Sequence, residues 1–129
     1  VGKLQDEFTS YRERMNERIL GEDNRVIKRI YSVDSLAYGA DGELPQKTRE
    51  LLGLVASLVL RCDDCVKYHL VEARGRGNTR TEILEAMSIG LVVGGTIVIP
   101  HLRRAVEFLD DLDSAEDVDA GSGQPARQE

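Results

Sequence analysis

Apolar residues recur every three or four positions along most of this chain. Leu4, Phe8, Tyr11, Met15 and Ile19 fall on one stripe, as an amphipathic helix requires. Val26, Ile27, Ile30, Val33, Leu36 and Ala37 form a second stripe, ending at Gly39. After the turn "ADGEL", Pro45 stands where a helix can start, and the residues from Leu51 to Leu60 are almost wholly apolar. A helix apolar on all sides belongs at the centre of a bundle. "CVKYHLVEARGRG" predicts another helix, stopped by Gly75 and Gly77. Thr79 and Glu82 then have capping-box spacing ahead of "ILEAMSIGLVVGG". "TIVIPHLRRAVEFLDDL" closes the series, with Pro100 either in a first turn or at a kink.

The pattern predicts an all-α protein, a compact bundle of about six helices. "LVASLVL" and "IGLVVGGTIVI" are rich enough in β-branched residues to suit strands. Their flanks keep helical spacing, so they are read as helix. Gly90, Gly94 and Gly95 permit close approach of helices, a reading preferred to ligand contact.

With 129 residues, the chain is one domain in length. Residues 1–112 are expected to form it. Residues 113–129 hold five acids and one base, which is −4 of a net charge of −6. They are poor in apolar residues and are expected to be a disordered acidic tail. No basic surface for nucleic acid is evident, since "VEARGRGNTR" is short and has no aromatic partners. The opening stretch "VGKLQDEFTSYRERM" is polar where a secretory leader needs an apolar core. The longest apolar run, "IGLVVGGTIVIP", is too short to span a bilayer and suits a buried helix. A cytoplasmic protein, not bound to membrane, is expected. Two strongly apolar segments in so short a chain also predict a homo-oligomer.

The chemistry concentrates in "RCDDCVKYHL", which holds both cysteines and one of the two histidines. Four readings of Cys62, Cys65 and His69 are open. Zinc needs three or four good ligands, and the chain offers these three with the distant His101. The cysteines could be unrelated buried thiols. They could form a structural disulfide, which a reducing cytosol disfavours. They could be a reacting dithiol, the reading the spacing favours. Cysteines three apart at a helix start can close a small disulfide, and the free amides there stabilise thiolate. His69 lies one turn after Cys65 and can take its proton, which favours Cys65 as nucleophile. Proximity to the helix terminus favours Cys62 instead. Asp63 and Asp64 should raise both thiols.

Glu50 could border the dithiol if its helix packs antiparallel to the next, or could lie on the surface. Glu72 could orient the His69 ring or be solvated. His101 could line the pocket or sit on a surface. Tyr68 points to a different helix face from His69. Tyr31 and Tyr38 read as packing residues.

Glu50, Cys62, Cys65 and His69 taken together decide between these readings. "KTRELLGLVASLVLRCDDCVKYHLVEARGRGNTRTEILEAMSIG" resembles the carboxymuconolactone decarboxylase superfamily, in its AhpD-like alkylhydroperoxidase branch. That branch carries Glu, eleven residues, then Cys-x-x-Cys-x-x-x-His, the interval found from Glu50 to Cys62. The resemblance spans residues 43–110. It implies an all-helical fold with the dithiol at the start of a core helix, and homotrimers or homohexamers. It implies a peroxide substrate attacked by Cys65, with Cys62 resolving and Glu50 and His69 relaying protons. It implies reduction by an external dithiol, and no cofactor or metal. One departure is Asp64, where the best-known peroxidase members have a second histidine. Two rival functions remain: an enzyme acting on a lactone or small acid without the dithiol, and a non-catalytic helical interaction module.

Overall fold

The computed structural model describes the backbone of residues 2–121 and the side chains of residues 2–114. It is built from α1 (Lys3–Leu20), α2 (Arg25–Tyr38), α3 (Gln46–Val59), α4 (Asp63–Gly75), α5 (Arg80–Gly94) and α6 (Ile99–Gly121). A short 3-10 turn, Thr96–Val98, precedes α6. No strand occurs among the described residues, so the two β-branched stretches are not strands.

Local sequence sets the helix starts. Asn24 caps α2 by accepting the Ile27 amide at 3.1 Å. The capping box of α5 is complete, with Thr79 Oγ1 accepting from the Glu82 amide at 3.1 Å and Glu82 Oε1 from the Thr79 amide at 2.9 Å. Pro100 lies in the first turn of α6, where its missing N–H costs nothing. The start of α1 is capped from far away in sequence. Asp111 on α6 accepts the amides of Leu4 at 3.2 Å and Gln5 at 2.9 Å, placing a carboxylate at the positive end of the helix.

α3 is the hub, packing on α4 and α5. Leu54 and Leu58 of α3 meet Val66, Leu70 and Ala73 of α4 and Ile83 and Met87 of α5 in the core. Val98, Ala105, Phe108, Leu109 and Leu112 close it from α6 and the turn before it. α1 crosses α6 through an edge-on contact of Phe8 with Phe108, 5.6 Å between ring centres. Gly90 lets α5 approach α3, since a side chain there would meet Leu58 at 3.3 Å.

Two expectations need correction. The run through "IGLVVGGTIVIP" is not one buried helix. Gly95, at φ 81°, breaks it, and Ile89, Val92, Val93 and Ile97 are exposed. The apolar α3 buries only one face, leaving Leu52 and Leu60 exposed. α6 runs as far as Gly121, and within it Asp113 joins Arg74 at 2.8 Å and Arg80 at 2.7 Å. Residues 122–129 of the acidic segment lie outside the described residues. α2 buries no residue at all, and Val26, Ile30, Val33 and Leu36 stand exposed along it.

Candidate active site

α3 and α4 are joined by a turn with Arg61 in the left-handed region, at φ 60°. That sharp reversal carries the chain from the hub helix straight into the dithiol. Cys62 is the N-cap of α4 and Cys65 lies in its first turn. The two are joined as a disulfide, with Cα atoms 5.3 Å apart, inside the usual range for such a bond. Cys62 Sγ accepts the Cys65 amide at 3.3 Å, so the first cysteine sits on the electropositive end of the helix. Cys62 is half-buried and Cys65 is exposed.

Behind the pair, α3 and α4 bring Glu50 against His69. Both are buried, at 1% and 7% exposure, and Glu50 Oε2 lies 2.9 Å from His69 Nδ1. Antiparallel packing of α3 on α4 thus draws Glu50 inside, and it does not lie on the surface. A buried carboxylate needs a partner of this kind. Glu50, not Glu72, orients the ring. The opposite ring nitrogen, Nε2, faces the Tyr38 hydroxyl at 3.5 Å. Among the described residues neither sulfur bonds to His69 in this disulfide form. The one-turn spacing puts His69 on the same helix as Cys65, but no direct link between them is formed.

Two neighbours of His69 carried no sequence signal. Gly53, one turn after Glu50, leaves the space that the ring occupies: a Cβ there would lie 2.6 Å from His69 Cε1 and 2.5 Å from the Tyr38 hydroxyl. The spacing of Tyr38 suits packing on α2, yet its ring stacks at a tilt on His69, 5.1 Å between centres. Burial, then the Glu50 and Asp34 charges, raise the Tyr38 pKa above its ordinary value of 10.0. Tyr68 also reaches the site's edge, its ring 5.2 Å from that of His69. Its pKa is pushed up to about 12, by burial first and then by Glu72, Asp34 and Glu50. The Arg12 guanidinium lies 4.2 Å over the Tyr68 ring.

His101 sits neither on Cys65 nor free at the surface. Its Nδ1 lies 2.8 Å from Asp63 Oδ1, and Arg104 Nε bonds the other oxygen of Asp63 at 2.9 Å. Partial burial works against the Asp63 carboxylate, but these two partners outweigh it and hold its pKa below 3.8. The expected pressure of Asp63 on the thiols is therefore offset from α6. Asp64 remains exposed. Among the described residues no group of three or more His, Cys, Asp and Glu could hold a metal ion. A cavity of about 490 Å³ lies along α6 between Ile99 and Asp110. It is wide open and contains none of Glu50, Cys62, Cys65 and His69.

The profile of the Carboxymuconolactone decarboxylase family matches residues 28–108. The chain belongs to that family. Two crystal structures from Thermotoga maritima share 51% and 50% of its sequence, with TM-scores of 0.82 and 0.81. They cover 86% of this chain and 96% and 93% of their own. One is described as a carboxymuconolactone decarboxylase family protein with a suggested part in an antioxidative response. A family member from Legionella pneumophila, 22% identical over 83% of this chain and 88% of its own, shares the fold at a TM-score of 0.61. An uncharacterised protein of the cox locus of Paracoccus denitrificans is 29% identical over 74% of this chain and 89% of its own length. Among the described residues no helix is long and apolar enough to cross a membrane.

Proposed function

We propose that this family member is a thiol-dependent peroxidase of the AhpD-like kind, working through Cys62 and Cys65. The observation that carries the reading is a closed cysteine pair at the start of α4, one turn before a buried histidine held by a buried carboxylate. A buried Glu–His pair can take up and return a proton without solvent, which thiol chemistry on a peroxide needs. The suggested antioxidative part of the Thermotoga relative supports the same class.

In the reaction, the Cys65 thiolate attacks one oxygen of the peroxide and the O–O bond breaks. Cys65 becomes a sulfenic acid, and the departing alkoxide takes a proton from the relay of His69 and Glu50. The Cys62 sulfur then displaces hydroxide from the sulfenic acid. Water leaves and the disulfide forms. An external dithiol reduces the disulfide by exchange, passing through a mixed disulfide and ending as a disulfide itself. None of these steps calls on a metal or an organic cofactor.

The working form is a homotrimer or homohexamer in the cytoplasm. The exposed apolar faces of α2 and of the α5 end are the surfaces such an assembly would cover. Light scattering at micromolar concentration showing only monomer would refute it.

The decisive experiment treats reduced protein with one equivalent of an alkyl hydroperoxide and follows intact mass. A loss of two hydrogens per chain, with a Cys62–Cys65 linkage in the peptide map, is the expected result. Thiols that stay inert while a free-thiol control oxidises would overturn the reading. Turnover of a lactone that survives replacement of both cysteines by serine would establish the rival enzyme.

A further inference from the structure

Tyr38 ends a helix that buries no residue, yet its end of that helix is held from α3. Arg49 of α3 donates to the carbonyls of Ala37 at 2.8 Å, Gly39 at 2.6 Å and Leu44 at 3.0 Å. Gln46 Nε2 donates to the Tyr38 carbonyl at 3.1 Å. Carbonyls at a helix C-terminus lack partners within the helix, and a guanidinium there also meets the negative end of its dipole. Gln46 and Arg49 therefore fix the last turn of α2. Glu50 and Gly53, next along the same helix, hold and admit the His69 ring. One helix thus sets both the phenol and the imidazole.

We propose that Tyr38 is a positioning residue for His69, its hydroxyl engaging Nε2 while Glu50 holds Nδ1. The inference rests on the reading of His69 as the proton carrier of the dithiol. With Nδ1–H donated to the Glu50 carboxylate, Nε2 carries the lone pair and the Tyr38 O–H donates to it. When Nε2 gains a proton, its N–H donates to the phenol oxygen, because a hydroxyl both donates and accepts. The ring keeps a partner at each nitrogen in either state and does not swing as its charge changes. The raised pKa of Tyr38 keeps that hydroxyl protonated at neutral pH. At 3.5 Å the contact is at the long limit of a hydrogen bond, so several-fold effects are expected and not orders of magnitude.

Tyr38→Phe keeps the aromatic ring on His69 and removes only the hydroxyl. The first readout is nitrogen-15 NMR of the histidine side chains in the reduced full chain, with His101→Gln used to assign the two. Loss of the donor should move the His69 Nε2 resonance downfield and leave Nδ1 near its wild-type position. The second is the pH profile of peroxide-driven closure of Cys62 and Cys65. It should be displaced from wild type, with closure roughly three- to tenfold slower near neutral pH. In an active wild type, an unchanged Nε2 resonance or a superimposable pH profile in Tyr38→Phe overturns the proposal. If wild type never closes its disulfide with peroxide, the peroxidase reading has failed instead. The resonance alone then decides whether Tyr38 holds Nε2: a shift supports it, and none overturns it.

Discussion

His69 Nδ1 lies 2.9 Å from Glu50 Oε2, and both side chains are almost wholly out of water. A charge-assisted bond in such a place is stronger than one in solvent. Removing one partner is costly, because the other is left buried and unpaired. Glu50→Leu is expected to lower the unfolding free energy by about 1–3 kcal/mol, measured by denaturant titration. Glu50→Gln keeps an acceptor for Nδ1–H but not the charge. It should stay folded while peroxide-driven disulfide closure slows markedly in stopped-flow. A Gln variant as fast as wild type would remove Glu50 from the relay.

Gly53 tests the packing that makes the centre possible. A methyl there would press on His69 Cε1 at 2.6 Å and on the Tyr38 hydroxyl at 2.5 Å. Both rings would have to move. Gly53→Ala is expected to destabilise by about 1–3 kcal/mol and to slow disulfide closure. Gly75→Ala is the control, since a Cβ there meets nothing within 4 Å. It should be neutral or slightly stabilising in the same denaturant titration.

The parts of this centre differ in how they could be read from sequence. Cys62, Cys65 and His69 share one helix, so their spacing is their geometry. Thr79 and Glu82 are legible for the same reason. Glu50 required the packing of α3 on α4, and only the family resemblance gave it a role in advance. Tyr38, Gly53 and the Asp63–His101 pair carry no local signal. Each acquires meaning only from a residue on another helix. Asp113 reads as one acid among several until Arg74 and Arg80 are seen to hold it. The apolar stripe of α2 was legible as a helix, but not as an exposed one, because spacing gives a face and not what covers it.

Asp63 links the start of α4 to α6, and its effect depends on pH. His101 and Arg104 hold its folded pKa below the ordinary 3.8. A depressed carboxylate contributes stability above its unfolded pKa and loses it as pH falls through the folded value. The gap in unfolding free energy between wild type and Asp63→Asn should therefore be present at pH 6 and close as the pH is lowered below 3.8. Its size should be below about 1 kcal/mol, since the site is partly open to solvent. A gap that widens in acid would contradict the assignment.

The roles of the two cysteines set two physical arguments against each other. Cys62 is the N-cap of α4, with its sulfur on the Cys65 amide at 3.3 Å, where a thiolate is stabilised by the helix terminus. Cys65 is the more exposed residue of the two and lies one turn before His69. Nucleophilic attack needs access and a proton acceptor as well as a low pKa, so Cys65 is expected to react first. The test replaces each cysteine by serine in turn and adds one equivalent of peroxide with a sulfenic-acid trap. Cys62→Ser should be trapped rapidly at Cys65, while Cys65→Ser reacts slowly. Adding His69→Asn to Cys62→Ser should slow trapping near neutral pH and shift its pH dependence upward, because the buried proton acceptor is gone. Rapid trapping at Cys62, at a rate that His69→Asn does not change, would reverse the roles. The helix terminus would then be the feature that activates the thiol.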